Sequence, residues 1–444
     1  MAPSCPALLP EQLPVLVAGG GPAGFMAAIS AAEAGVTGVH LLEATAEPLH
    51  KVRISGGGRC NVTHACWDPR ELVGHYPRGS RALRGPFSRF AAGDAVAWFA
   101  DHGLELVEEA DGRLFPRANR SSAVIDCLRR AAAVAGVQLY SGLALQAARP
   151  APDDGFLLEV RDQTGAGRSS TGDSASSPSA RAHSARTHPA SLVARRLVLA
   201  TGSHPSGRRL AAALGHTLVP PVPSLFTLAL ANDPLLALAG VSMEAVELTL
   251  ELPDGRRLRQ QGPVLITHWG LSGPATLRLT AFAARDLQAS RYRGSLCIDW
   301  SGGRSAAELE HWFQQARRDQ ARRLLANWRP WPELSRRLWQ HLLEQAAVEP
   351  GRRWADLTKA QQQRLLADLR GSRHRVSGRG PFGEEFVTAG GVALGEVDLA
   401  RMESRLQPGL HLVGELLDVD GVTGGFNFQH CWSSGWLAGQ ALSR

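Results

Sequence analysis

The sequence predicts an α/β fold: a Rossmann-like domain interrupted by an inserted antiparallel β domain, barrel-like in character, and a small helical domain. Three observations support this. The chain opens with strand, helix and strand around a glycine cluster, its middle alternates in the manner of antiparallel strands and then becomes helical, and glycine-rich strands and turns return at the end. At 444 residues the chain is also too long for one ordinary core.

The first segment, residues 1–205, reads as repeated strand–helix–strand units. "LPVLVAGG", "GFMAAISAAEAG" and "GVHLLEA" form one unit, and "SSAVIDCLRRAAAVAG" followed by "VQLYSG" forms a second. Units of this length imply a parallel sheet. Residues 161–191 hold hardly any apolar side chain, so we expect a disordered loop there. Because the loop separates the strand candidates "GFLLEV" and "RRLVLATGS", it should decorate a hairpin.

The inserted segments follow in order. Residues 206–300 contain alternating stretches around Pro-Asp-Gly and predict the β domain. Residues 301–371 carry three helical stretches with capping residues at their starts, and we expect their arginines to form solvated faces. Residues 372–384 return to the β domain, and residues 385–444 complete the Rossmann-like domain with a final Ala/Gly-rich helix.

Charge and composition exclude several classes of protein. The net charge is +7, but the basic residues are arginines, apart from Lys51 and Lys359, and are interleaved with acids, which disfavours nucleic-acid binding. The sequence has neither an apolar run of membrane-spanning length nor a secretory start, so we expect a cytoplasmic protein without membrane association. Scattered cysteines without metal spacing predict neither disulfides nor a metal site: Cys5, Cys60, Cys66, Cys127, Cys297 and Cys431.

A dinucleotide fingerprint lies between the first strand and helix. Gly19, Gly21 and Gly24, with Pro22 and Ala23 between them, fit G-x-G-x-x-G. One glycine permits the tight turn, one admits a pyrophosphate and one lets helix and strand pack closely.

An acid follows this fingerprint at the expected distance. Glu43 ends the second strand 19 residues after Gly24 and is followed by Ala44. A carboxylate there accepts hydrogen bonds from an unphosphorylated ribose, which favours FAD or NAD over NADP.

Three further clusters favour FAD. They are a second glycine segment (Lys51, Ser55, Gly57, Gly58, Arg59, Cys60, Asn61), a strand end (Ala200, Thr201, Gly202) and a C-terminal segment (Gly414, Glu415, Asp420, Gly424, Gly425, Phe426, Asn427). NAD needs one strand–helix–strand unit, whereas extended FAD takes contacts from remote parts of a chain. Motifs at both ends of this chain therefore predict bound FAD.

The chain resembles the BaiN/YhiN family of bacterial flavoproteins. The motifs that carry the resemblance span nearly the whole chain, in order: "GGGPAG", "ISGGGRCNVTH", "GRLFPRANRSSAVID", "THWGLSGPA", "VTAGGVALGEVD" and "GELLDVDGVTGGFNFQ". The resemblance implies FAD in a Rossmann-type domain with an inserted β-barrel and helical domain.

The family's sites map onto this sequence by position. The resemblance implies that Gly19 to Gly24 and Glu43 hold pyrophosphate and ribose, and that Ser55 to Asn61 form the second glycine loop. Gly414, Glu415 and Gly424 to Asn427 then reach the ribityl chain and the pyrimidine edge. The long low-complexity loop and the pair His430–Cys431 depart from the family pattern.

The expected function is that of an FAD-dependent oxidoreductase. The resemblance implies that NADH or NADPH, bound transiently, drives hydride transfer through flavin N5 to a small conjugated or carbonyl-bearing molecule. "WGLSGPATLRL" (Gly270, Gly273) lacks the acid of a second nucleotide site and is interpreted as structural. Two alternatives remain: an FAD-dependent amine oxidase, and a flavoprotein acting on RNA. The sequence does not predict the oligomeric state.

Catalytic groups are weakly marked. His430, Cys431 and Cys60 lie beside the expected flavin segments, and His268 precedes a glycine turn. Each is more typical of a packed core residue than of a catalyst, and the near-adjacent cysteines of disulfide reductases are absent from the sequence.

Overall fold

The chain divides into two compact units. The computed structural model describes residues 9–163, 192–380 and 387–444. The first unit comprises Met1–Pro221 and Ala389–Arg444, and the second comprises Val222–Thr388. Most of the loop expected at 161–191 lies outside the described residues. No helix in the described ranges is long and apolar enough to cross a membrane.

The first unit begins with alternating strands and helices. Its elements are β1 (Gln12–Ala18), α1 (Pro22–Glu33), β2 (Val39–Glu43), α2 (His50–Gly58), β3 (Thr63–His64), α3 (Pro69–Leu72), α4 (Arg84–Phe87), α5 (Ala92–Asp101), β4 (Leu106–Glu108), β5 (Arg113–Pro116), α6 (Ser121–Val134), β6 (Gln138–Ser141), β7 (Leu143–Pro150), β8 (Phe156–Asp162), β9 (Leu192–Leu199), α7 (Pro205–Ala213) and β10 (Leu218–Pro223).

The second unit contains a sheet and a set of helices. Its elements are β11 (Leu228–Ala229), β12 (Ser242–Glu251), β13 (Arg257–Ile266), β14 (Gly270–Ser272), α8 (Pro274–Phe282), α9 (Ala284–Ala289), β15 (Gly294–Asp299), α10 (Ala306–Asp319), α11 (Arg336–Gln345), α12 (Lys359–Gly371), β16 (Ser372–Val376) and β17 (Gly378–Arg379). Seven strands form an antiparallel sheet in the order β16-β15-β12-β13-β14-β11-β17.

One hydrophobic core serves both the sheet and the helices of the second unit. Leu248 and Ile298 from the strands and Phe313, Trp339 and Leu365 from the helices belong to the same buried cluster. From the sequence we expected a β domain and a separate small helical domain. In the structure they form one unit, because the apolar faces of α10, α11 and α12 are buried in that common core.

The chain then returns to the first unit. Its last elements are β18 (Thr388–Val392), β19 (Val397–Asp398), β20 (Glu403–Ser404), β21 (Leu410–Leu412) and α13 (Phe426–Leu442). We expected the first segment to end at residue 205, but the first unit extends to Pro221. The helix α7 belongs to the first unit because Gly207 packs closely against Thr201. A Cβ at Gly207 would lie 1.6 Å from the Oγ1 of Thr201.

The main sheet of the first unit has a parallel centre, as the sequence predicts. β21, β9, β1, β2 and β6 are consecutive parallel neighbours, with Val17 opposite Leu41 and Val198. The predicted hairpin partners β8 and β9 pair antiparallel. Because β1, β2, β9 and β21 end at the same edge, the loops that follow them lie together.

Two small-residue helices pack against each other beside this sheet. A Cβ at Gly435 would lie 2.6 Å from the Ala23 carbonyl oxygen, and one at Gly439 would lie 2.8 Å from that of Ala27. α13 can therefore approach the backbone of α1 only because glycine occupies both positions. This packing joins the end of the chain to the glycine fingerprint at its start.

Candidate cofactor site

The fingerprint glycines divide into two physical roles. A Cβ at Gly19 would lie 2.4 Å from the Ala200 oxygen, and one at Gly24 would lie 1.9 Å from the Gly19 oxygen, so protein packing requires both. A Cβ at Gly21 would meet no described atom within 4 Å. Gly21 is the N-cap of α1 and faces open space, which leaves the room that a pyrophosphate needs.

Glu43 is held against this turn. One carboxylate oxygen accepts the Gly20 N–H at 2.9 Å, and the other accepts the N–H and hydroxyl of Thr45 at 2.8 and 2.7 Å. The carboxylate is partly exposed at the end of β2, and Ala44 beside it is exposed. A fixed carboxylate at this position suits a ribose hydroxyl donor.

The second glycine segment differs from the expected plain loop. Its first residues form the helix α2, in which Val52 is buried, and the helical conformation breaks at Ser55. Gly56, Gly57, Gly58 and Cys60 then have φ values of 57°, 67°, 84° and 61°. A Cβ at Gly57 or Gly58 would meet no described atom within 4 Å. These backbone groups therefore border open space.

Asn61 ends this segment with an unsatisfied polar atom. Its side chain is buried, and its Oδ1 has no hydrogen-bond partner among the described residues. A buried polar atom without a partner is costly, so a ligand donor at this position would stabilise it. By contrast, Arg59 turns to protein groups: it pairs with Glu109 at 2.6 Å and lies 4.0 Å over the Phe115 ring.

The C-terminal segment meets both other clusters. Lys51 Nζ donates to Glu415 Oε2 at 2.6 Å and to Ser203 Oγ at 3.2 Å. A Cβ at Gly202 would lie 3.8 Å from that carboxylate. Gly414 packs against Ala23, since its Cβ would lie 2.8 Å from the Ala23 Cβ.

The turn before α13 packs against Thr63, two residues after the second glycine segment. Gly425 has φ of 91°, and its Cβ would lie 2.7 Å from the Thr63 carbonyl carbon. The Asn427 side chain binds both the N–H and the carbonyl of Gly421, at 2.8 and 2.9 Å. The hydroxyl of Tyr76 donates to the Phe426 carbonyl at 2.5 Å. The protein thus fixes this turn from both sides.

Most of the predicted residues come together in this arrangement. The two ends of the chain supply one cradle of glycine backbone, comprising Gly19 to Gly24, Glu43, Lys51, Ser55 to Asn61, Ala200 to Gly202, Gly414, Glu415 and Gly424 to Asn427. Open space at three glycines and the unpartnered Asn61 oxygen fit an extended dinucleotide such as FAD. His268, Gly270 and Gly273 belong to the second unit.

Asp420 has a different environment from the one expected. Its carboxylate is fully buried and takes two hydrogen bonds from the Arg78 guanidinium. This ion pair fixes the chain just before the Gly424–Gly425 turn. Asp420 therefore supports the cradle from inside the protein.

The cysteine and histidine candidates are held in uncharged forms. Burial raises the pKa of Cys60 to about 12 and that of Cys431 further still, so neither thiol ionises near neutral pH. Burial lowers the pKa of His430 to about 4, and its Nε2 lies 3.1 Å from the Gly414 carbonyl oxygen. These properties are typical of structural residues and argue against thiolate chemistry.

A cluster of rings beside the Gly424–Gly425 turn was not predicted. Phe426 stacks with His75 at a centroid distance of 4.1 Å and with His64 at 4.8 Å. His64 Nε2 lies 3.1 Å from the Asp111 carbonyl oxygen, and its buried Nδ1 has no partner among the described residues. The sequence signal for His64 is its position as the last residue of the motif "ISGGGRCNVTH", three residues after the second glycine segment.

No group of three His, Cys, Asp or Glu side chains within the described ranges could hold a metal ion.

Comparisons with known proteins cover nearly the whole chain. The profile of the HI0933-like protein Rossmann domain matches residues 13–441. A 3-dehydro-bile acid delta(4,6)-reductase from Clostridium scindens is 28% identical over 445 residues, which cover 96% of this chain and 98% of the relative. A ribosomal RNA dihydrouridine synthase from Escherichia coli is 27% identical over 452 residues, which cover 97% and 98%.

Solved structures share the fold. A 3-ketosteroid delta1-dehydrogenase from Sterolibacterium denitrificans, in complex with 1,4-androstadiene-3,17-dione, matches with a TM-score of 0.50. The match covers 98% of this chain and 100% of that chain at 13% identity.

Proposed function

Because the chain belongs to the HI0933-like family, identified above as BaiN/YhiN, and is an FAD-dependent oxidoreductase, we propose that it reduces a carbon–carbon double bond conjugated with a carbonyl group. NADH or NADPH is the proposed source of electrons. The observation that carries the flavin part of the proposal is the single glycine cradle built from both ends of the chain, with Lys51 bound to Glu415 across it. When bound there, FAD supplies a hydride acceptor and donor at N5.

The protein's groups have distinct proposed roles. The open turn at Gly21 and the N-terminus of α1 receive the pyrophosphate, and Glu43 accepts from the ribose. The left-handed backbone at Gly57 and Gly58 and the turn at Gly424–Gly425 border the flavin end. The sequence resemblance supports this assignment of the two ends of the cofactor.

The chemistry of the relatives favours reduction over amine oxidation. A delta(4,6)-reductase and a dihydrouridine synthase both add two hydrogens across a carbon–carbon double bond. Such an addition needs a hydride at one carbon and a proton at the other. The reaction therefore requires a proton donor in addition to the flavin, which supplies the hydride.

His64 is the proposed proton donor. Since Nε2–H donates to the Asp111 carbonyl, the neutral ring has its lone pair on Nδ1, which has no partner among the described residues. The His64 ring stacks on Phe426, and its Cδ2 lies 3.5 Å from the Cβ position of Gly424, so the ring borders the Gly424–Gly425 turn, while Nδ1 lies 3.2 Å from the Cβ position of Gly112. His430 is less suited, because its full burial opposes the protonated form.

The nicotinamide is proposed to bind transiently at the same site. The glycines of "WGLSGPATLRL" are explained by packing: a Cβ at Gly270 would lie 1.9 Å from the Leu228 oxygen, and one at Gly273 would lie 2.9 Å from the Pro263 oxygen. Neither glycine borders open space in the way that Gly21 does. This supports a single nucleotide-binding fold in the chain.

The test is the visible spectrum of the purified protein under anaerobic conditions, followed as NADH or NADPH is added. Bleaching of the flavin bands by either donor, and recovery on addition of a conjugated enone, would support the proposal. Bleaching by amines alone would favour the amine oxidase. A colourless protein that takes up no FAD would overturn the assignment of the cradle.

A second candidate substrate is uridine in RNA. The Escherichia coli relative favours it, because a dihydrouridine synthase reduces a double bond next to a carbonyl within a nucleic acid. In the test, the reduced enzyme is incubated with ribosomal RNA from an Escherichia coli strain that lacks the gene for this relative. Dihydrouridine in the RNA is then measured by mass spectrometry. New dihydrouridine would select this candidate over the small molecule.

A further inference from the structure

The positive charge of the chain is concentrated in one stretch of the second unit. Residues 301–380 contain 16 lysine and arginine residues but only 8 aspartate and glutamate residues. The rest of the chain contains 32 basic and 33 acidic residues. The net charge of +7 therefore arises entirely in this stretch, although the arginines appear interleaved when they are read along the sequence.

Folding gathers six of these arginines. The chain after α10 pairs with residues 352–355: Leu325 N–H donates to the Arg352 oxygen at 3.0 Å, and Trp354 N–H donates to the Arg323 oxygen at 3.1 Å. Leu324 and Arg353 also form an antiparallel bridge. These bonds bring the segment of Arg322 and Arg323 beside that of Arg352 and Arg353, and Arg317 and Arg318 precede it at the end of α10. We call these three pairs the arginine cluster: Arg317, Arg318, Arg322, Arg323, Arg352 and Arg353.

Few arginine side chains of the cluster interact with other protein groups. Arg352 lies 4.0 Å from Glu349, Arg317 binds Gln362 at 3.4 Å, and Arg323 lies 5.2 Å over the Trp328 ring. Arg318, Arg322 and Arg353 are exposed, and their side chains have no ion pair or hydrogen bond with any residue of 9–163, 192–380 or 387–444. Asp319, Glu349 and Asp356 lie in the same segments and offset half of the charge.

We propose that the arginine cluster is a docking surface for RNA. Each guanidinium group can bind two phosphate oxygens at once. Closely spaced arginines also displace counterions from a polyanion, and this release favours binding. Elsewhere in the unit, by contrast, Arg256 is paired with both Asp254 and Asp286. The proposal concerns binding: it rests on the RNA candidate of the proposed function and does not depend on the proposed reduction of a small molecule.

The test measures fluorescence anisotropy of a fluorescein-labelled RNA stem–loop with the full-length flavoprotein across a salt series. The variant R318Q/R322Q/R353Q removes one exposed arginine from each pair. Its matched control, R129Q/R195Q/R293Q, removes three exposed arginines outside the cluster. We expect the cluster variant to bind about tenfold or more weakly, with a salt slope shallower by about two to three, while the control binds like wild type.

Two results would overturn the proposal. One is the absence of an effect: wild-type protein does not bind the stem–loop at low salt, and the cluster variant therefore cannot differ from it, or the variant binds as tightly as wild type. The other is the wrong ligand: poly-glutamate binds equally well with the same salt dependence, which would assign the surface to an acidic protein. Thermal unfolding and bleaching by nicotinamide are measured on the same samples, so loss of RNA binding is distinguished from loss of fold or of the proposed reduction.

Discussion

The ammonium of Lys51 donates to the carboxylate of Glu415 at 2.6 Å, joining residues 364 positions apart. Lys51 lies in the second glycine segment, and Glu415 follows the strand β21 near the other end of the chain. Ser203, in the turn after β9, accepts from the same ammonium. One side chain therefore connects three of the four backbone segments from which the cradle is built.

Replacing this ammonium should loosen the cradle without unfolding the protein. The Lys51 side chain is 50% exposed, so the ion pair contributes less than about 1 kcal/mol to the free energy of unfolding. We expect Lys51→Met to raise the Kd for FAD by up to about fivefold, because the Gly414–Glu415 turn is less firmly held. Lys359→Met, which changes the only other lysine, is the control. FAD affinity like wild type in Lys51→Met would contradict this role.

Gly21 should be needed for the ligand and not for the fold. Because a Cβ there would meet no described atom, Gly21→Ala should change the free energy of unfolding of the apoprotein by less than about 0.5 kcal/mol. The added methyl group would occupy space proposed for the pyrophosphate, so bound flavin should fall about tenfold or more. The ratio of flavin to protein absorbance measures this. Gly93→Ala, on α5 and equally unobstructed, should retain flavin.

Local patterns account for what the sequence predicted. The strand–helix–strand alternation gave the parallel sheet, and spacing alone placed Glu43 beside the glycine turn. In contrast, the partner of Asp420 is Arg78, 342 positions away, and nothing near either residue announces the pair. His64 was missed for the same reason: its stacking partner Phe426 comes from the other end of the chain.

The charge pattern illustrates the same limit. Along the sequence, acids and one helical stretch separate Arg322 from Arg353, so the pattern does not show that these arginines lie close together. Only the backbone pairing of Leu324 with Arg353 brings them together. The helix at the start of the second glycine segment was missed because its glycines dominated the pattern, although His50 to Ile54 contain none.

His64 should set the pH dependence of turnover if it donates the proton. Burial lowers the pKa of His64, and the charge of Arg113 acts in the same direction. The hydrogen bond to the Asp111 carbonyl and the charges of Asp111 and Glu108 oppose this effect. Only the protonated ring can donate, so turnover should rise as pH falls and level off only below the lowered pKa of His64, on the acidic side of an ordinary imidazole. His64→Gln should abolish this rise and lower turnover about a hundredfold or more.

The control for this change separates proton donation from flavin binding. Bleaching by nicotinamide should proceed in His64→Gln as in wild type, and His311→Gln, an exposed change on α10, should leave both measurements unchanged. Full turnover of His64→Gln with an unaltered pH profile would remove His64 from the mechanism.

The cysteines should be dispensable for the redox chemistry. Burial keeps the thiols of Cys60 and Cys431 protonated, which makes them poor nucleophiles. We expect Cys60→Ser and Cys431→Ser to retain turnover within about twofold per mole of bound flavin. Native protein should also react slowly with a thiol reagent at both positions, as read by mass spectrometry. Rapid modification of Cys60 with loss of turnover would instead show that this thiol takes part in the reaction.

Arg78 should be important for stability because it compensates a buried charge. The Asp420 carboxylate is fully buried, so removing the guanidinium would take away the cation with which this interior charge forms its ion pair. Arg78→Ala should therefore lower the free energy of unfolding by about 3 to 5 kcal/mol in a denaturant titration. The double variant Arg78→Leu with Asp420→Leu removes both charges and should cost less than Arg78→Ala. If the double variant proves the more costly, the ion pair itself stabilises the turn before Gly424; if Arg78→Ala is neutral, the compensation argument fails.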